Sequence, residues 1–76
     1  MKLKELLPII DIDKVNSTLY IGVDIDGYDT TGYDGDFNIQ AVNKTLLDYE
    51  VIRLDISGCG GKQCFLYEIS IIVKEK

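Results

Sequence analysis

The run Thr18-Leu19-Tyr20-Ile21-Gly22-Val23-Asp24-Ile25-Asp26 is the strongest structural signal in this chain. Leu19, Ile21, Val23 and Ile25 alternate with Thr18, Tyr20, Gly22, Asp24 and Asp26. Successive side chains of a strand point to opposite faces, so this period of two predicts a half-buried β-strand. The even-numbered residues then face solvent or a partner.

The elements on either side follow from the same reading. Leu3, Leu6 and Leu7 fall at i, i+3 and i+4, which predicts a short helix over residues 2–7. Pro8 either ends that helix near Leu7 or starts a second turn through Ile9 and Ile10. Gly27 ends the strand, and residues 27–36, Gly-Tyr-Asp-Thr-Thr-Gly-Tyr-Asp-Gly-Asp, read as a loop or a long hairpin tip. Phe37 and Ile39 suggest a return strand. Ala41, Val42, Leu46 and Leu47 allow one or two helical turns with Asn43 as the cap. Ile52, Leu54 and Ile56 alternate with Val51, Arg53 and Asp55, a third strand over residues 49–57.

A fourth strand runs over residues 64–73. Leu66 and Ile72 on its second face suggest burial on both sides, and hence a central place. Gly58, Gly60 and Gly61 mark the turn before it. The expected fold is therefore α+β, one domain over residues 1–76. A short N-terminal helix packs on a four-stranded, mainly antiparallel sheet, in the order α-β-β-short α-β-β. Short connections between neighbouring strands favour the antiparallel pairing.

Composition narrows function mostly by exclusion. With 76 residues the chain buries only about 60% of its unfolded surface. Hydrophobic residues make up 46%, too many for a disordered segment. There is no His, which removes imidazole as general base, nucleophile partner and zinc ligand. No nucleophile–base pair is visible, and a ligand pocket of roughly 300 Å³ or more is hard to house in so small a chain. The expectation is a protein without enzymatic activity and without a cofactor. No stretch is apolar enough for a membrane span, and Leu6-Leu7-Pro8-Ile9-Ile10 is too short for a secretory leader. A cytoplasmic location is expected, with Cys59 and Cys64 as reduced thiols.

Charge is the informative feature. The net charge is −5, from 8 basic and 13 acidic residues. Between Lys14 and Lys44 there is no basic residue, and the same stretch holds Asp24, Asp26, Asp29, Asp34 and Asp36. Those five account for the whole net charge. Direct nucleic-acid binding and anionic membranes are disfavoured, because both need Lys and Arg. A basic protein surface or a cation fits better. Asp24 and Asp26, two apart on a strand, share a face about 7 Å apart, and Tyr20 lies on that face. Tyr28 and Tyr33 lie in the predicted loop. The candidate partner-binding surface is thus Tyr20, Asp24, Asp26, Tyr28, Asp29, Tyr33, Asp34 and Asp36. Tyrosine beside carboxylates suits a basic partner, since it offers contact area and a polar tip.

The alternative use of these carboxylates is calcium. The EF-hand pattern D-x-[DN]-x-[DN]-G-x5-E fails from Asp24, where Tyr28 and Asp29 occupy positions five and six. It fails from Asp34, where Ile39 replaces the glycine and Thr45 the final Glu. A different calcium site would use Asp29, Asp34 and Asp36. Two thiols at C-x4-C spacing make neither a closed zinc site nor a redox motif. Gly58-Cys59-Gly60-Gly61-Lys62 is followed by Gln63 and a strand, so it is not a phosphate loop. Self-association through a sheet edge or face to give a homodimer is compatible with a domain this small.

Leu3-Lys4-Glu5-Leu6-Leu7, Ile10-Asp11 and Leu46-Leu47-Asp48-Tyr49-Glu50-Val51 resemble a group of small uncharacterised proteins encoded by phages and prophage-like elements of Firmicutes. The resemblance implies a phage or mobile-element origin, the bacterial host cytosol and no known activity. The segment Asp24–Asp36 and the Cys59–Cys64 hairpin depart from the group's pattern. An accessory protein acting as an inhibitor or nucleic-acid decoy of a basic host protein is the expected role.

Overall fold

A computed structural model describes residues 1–10, 17–58 and 67–75. The order of elements is α1 (Leu3–Leu6), a 3-10 turn (Leu7–Ile9), β1 (Thr18–Ile25), β2 (Tyr28–Asp36), a 3-10 turn (Ile39–Ala41), α2 (Lys44–Leu47), β3 (Glu50–Gly58) and β4 (Tyr67–Lys74). The strands form a single sheet in the order β2-β1-β4-β3. The expected α+β class holds. The pairings β1–β2 and β3–β4 are antiparallel hairpins, whereas β1 and β4 run parallel at the centre. Short connections dictate the two hairpins. The central parallel pair joins the first and last strands, between which most of the chain intervenes, so no connection length could announce it.

Both helical segments are brief, and their ends are held locally. The Glu5 carboxylate accepts the Lys2 backbone N–H at 2.8 Å, and Pro8 sits inside the 3-10 turn, so a second turn does follow the helix. Asn43 caps α2, its Oδ1 accepting the Thr45 N–H at 2.9 Å. Asn43→Ala is expected to destabilise the domain by about 1 kcal/mol, read from chemical denaturation. Lys4 and Asp48 form an exposed ion pair at 3.1 Å between the two helical ends. The chain start is tied to β3: the Leu3 N–H donates to the Tyr49 carbonyl, and the Val51 N–H to the Met1 carbonyl.

The core lies on one face of the sheet. Leu19 and Ile21 of β1, and Ile69, Ile71 and Val73 of β4, are fully buried against Leu3, Leu6, Leu7, Ile10, Phe37, Val42 and Leu46. The expected central position of the last strand is confirmed, and Ile72 on its second face is only 6% exposed. Two expectations are corrected. Residues 28–36 are not a loop but strand β2, because Asp26 and Gly27 alone complete the turn. Both adopt positive φ, at 53° and 90°, the geometry of a tight two-residue hairpin turn. The expected return strand at Phe37 and Ile39 is instead a bend just past the end of β2, followed by a 3-10 turn. There Phe37 enters the core and Asn38 Oδ1 accepts the Gln40 N–H. Cys59, Cys64, Gly60, Gly61 and Leu66 lie outside the described residues. No helix among the described residues is long and apolar enough to cross a membrane.

Candidate functional site: the second sheet face

The second face of the sheet is built by residues that alternate with the core. Register places Thr18, Tyr20, Gly22 and Asp24 of β1 beside Glu68, Ser70, Ile72 and Lys74 of β4. Among the described residues no helix packs on this face.

Strand β2 brings its carboxylates to the same face by an irregularity. Tyr33 pairs with Ile21, but Thr31 pairs with Gly22, which leaves Gly32 as an extra residue. A bulge reverses the parity of a strand on either side of it. Asp29 lies opposite Asp24, Asp34 opposite Tyr20 and Asp36 opposite Thr18. An odd-numbered and two even-numbered aspartates therefore share one face. Glycine is needed at the bulge for space: a Cβ on Gly32 would lie 3.0 Å from Leu46 Cδ1 and 3.2 Å from the Ile21 carbonyl oxygen.

The eight candidate residues therefore divide. Tyr20, Asp24, Asp29, Asp34 and Asp36 are brought together on the open face. Asp26 is not beside Asp24 but in the turn. Tyr33 lies opposite Ile21 and packs on the core, its hydroxyl donating to the Asp36 carbonyl at 2.6 Å. Tyr28 lies opposite Ile25, also on the helical side, and is exposed. The candidate set read from the sequence lacked Arg53 and Lys74, which the register brings to the same face as Tyr20 and Asp24. Alternation within β3 and β4 carries that signal, but the pairing that joins it to β1 does not show in the letters.

The face has its own electrostatic order. Asp24 and Asp29 are directly opposed like charges, an unfavourable cross-strand pair. Three features offset it. Asp24 Oδ1 accepts the Gly27 N–H at 2.9 Å, Lys74 lies beside Asp24 in register, and Arg53 Nη2 reaches Asp29 Oδ2 at 3.5 Å. Arg53 belongs to β3 and Asp29 to β2, the opposite edges of the sheet. Its rung runs through Ile72 and Gly22, so its stem crosses above them. Gly22 leaves that path low, since a Cβ there would meet Ile72 Cδ1 at 2.8 Å and the Tyr20 ring at 3.0 Å. Asp34 and Asp36 have no basic residue opposite them in register.

The calcium alternative is not supported by this arrangement. Asp29 and Asp34 pair with β1 residues four apart, roughly 13 Å along the strand. Among the described residues no three carboxylates or thiols are grouped to hold a metal ion.

Comparison with family models, curated proteins and solved structures finds no match for this chain. What the structure defines is a class: a small α+β domain with a mixed four-stranded sheet. One face of it carries the helical core, and among the described residues no helix packs on the other.

Proposed function

We propose that this chain is a non-enzymatic protein-binding domain, an accessory protein of a phage or mobile element. It would engage a basic protein surface through Tyr20, Asp24, Asp29, Asp34 and Asp36. One observation carries the reading: the bulge at Gly32 turns carboxylates of both parities onto a single open sheet face around Tyr20. A face of this kind, negative and with an aromatic ring at its middle, complements the surface of a nucleic-acid-binding host protein. Inhibition by occupying that surface is the corresponding mode of action. The resemblance to phage-encoded proteins supports the setting.

The test replaces Asp24, Asp29, Asp34 and Asp36 by Asn together. Each Asn keeps the shape and an acceptor oxygen, so the hairpin should survive. Basic host proteins captured by the wild-type chain should be released by moderate salt and bound at least about tenfold more weakly by the variant. Capture of the same proteins by both chains at equal affinity would remove the reading.

A further inference from the structure

Strand β3 presents a second surface, distinct from the acidic face. Ile52, Leu54 and Ile56 are 51%, 41% and 49% exposed, although Leu54 and Ile56 lie opposite the buried Ile71 and Ile69. The helical layer covers β4 and leaves its neighbour bare. β3 is also an edge strand, and among the described residues only Met1–Leu3 lies along its outer side, reaching no further than Val51. From Ile52 onward, main-chain donors and acceptors on that outer side have no partner among the described residues, and they run beside exposed branched apolar side chains. Soluble proteins usually guard against that combination.

The other edge is guarded. Strand β2 carries Asp29, Asp34 and Asp36 and no basic residue, so no register of self-pairing brings opposite charges together. In β3 the sequence Ile52-Arg53-Leu54-Asp55-Ile56 has the opposite property. Its apolar pattern reads the same in both directions, and its two charges exchange sign about the centre.

We infer that the β3 edge pairs with the β3 edge of a second copy of this chain, antiparallel and centred on Leu54. In that register Leu54 lies opposite Leu54 of the second copy, Ile52 opposite Ile56, and Arg53 opposite Asp55. A two-fold axis through the Leu54 pair makes the Ile52–Ile56 and Arg53–Asp55 contacts twice each. Leu54 and Ile56 lie on the helical side of the sheet and Arg53 and Asp55 on the open side, while Ile52 is the extra residue of a bulge between Val51 and Arg53 and forms the end of the pairing. Arg53 already pairs with Asp29, but both side chains are well exposed and the contact is long, so redirecting the guanidinium costs little. The Met1 carbonyl on the Val51 N–H stops the pairing at Ile52, which limits it to these five residues. The product is a continuous eight-stranded sheet with the helices on one side. The inference is independent of the binding partner proposed above.

The test is sedimentation velocity over a concentration series, with the wild type and two charge variants. The wild-type chain should associate to twice its 8.5 kDa mass. Arg53→Asp sets Asp against Asp across the axis, and Asp55→Arg sets Arg against Arg. Each should weaken self-association by roughly tenfold or more. Mixed together, the two variants regain both complementary pairs and should form a one-to-one dimer, which unfolded chains would not do. A wild type that stays monomeric overturns the inference. So does self-association that both variants retain unchanged, or a mixture that fails to re-associate. If a strand from another protein is the natural occupant of this edge, the first of these results is the one seen.

Discussion

Ile71→Ala is expected to lower the unfolding free energy by about 3–4 kcal/mol, the middle of the range for emptying a buried aliphatic site. Ile71 is fully buried at the middle of β4. Ile21 lies beside it on one neighbouring strand and Leu54 on the other, with the helical layer above. A cavity there has backbone on both sides, so little can collapse into it. For a chain of this size the midpoint of thermal unfolding should fall by roughly 15–25 °C. Far-UV circular dichroism during urea and thermal unfolding reads both quantities. Ile25→Ala is the control. Ile25 belongs to the same alternating run as Leu19 and Ile21 but is 54% exposed beside the turn, and its loss should cost about 1 kcal/mol or less. Equal costs at the two positions would contradict the placement of the helical layer over the sheet centre.

Gly32→Val is expected to cost about 3 kcal/mol or more. Gly32 is the extra residue between Thr31, opposite Gly22, and Tyr33, opposite Ile21. A Cβ there would lie 3.0 Å from Leu46 Cδ1 and 3.2 Å from the Ile21 carbonyl oxygen and from Val23 Cγ2. A branched side chain at that point forces the bulge, Leu46 or both to move. Deleting Gly32 instead closes the ladder, with Thr31 still opposite Gly22 and Tyr33 still opposite Ile21, so the aspartates should keep their face. Gly32→Ala is the milder counterpart. It keeps the bulge but presses a methyl on Leu46 and the Ile21 carbonyl, with an expected loss of about 1–3 kcal/mol. Unchanged stability of Gly32→Val in urea unfolding would contradict the close approach of Leu46 and the Ile21 carbonyl to this position.

These two positions mark the boundary of what could be read from letters. Ile71 and Ile25 both belong to the core-facing set of an alternating run, yet one is buried and the other is not. Alternation states which residues share a face. It says nothing about how far a neighbouring layer extends over that face. Gly32 sits in a stretch whose Asp, Gly and Thr content resembles a loop. The stretch is a strand because two residues suffice for the turn and β1 supplies main-chain partners along its length. Local composition carries turn preferences, whereas the ladder that overrides them is non-local.

By itself the sequence determined the class, the number of strands, the N-cap at Asn43, the alternating core of β1 and β4, and the concentration of negative charge between Lys14 and Lys44. All of these arise from short-range periodicity, capping chemistry or counting, which operate within a few residues. Only the tertiary structure decided that β1 and β4 lie side by side and parallel, and that Arg53 meets Asp29 across the sheet. It also decided that the carboxylates divide between one face and the turn, and that Ile52, Leu54 and Ile56 are left bare at an edge. Each of these depends on which strands become neighbours and in what register. That choice is made by burial summed over the whole chain, and no single segment contains it.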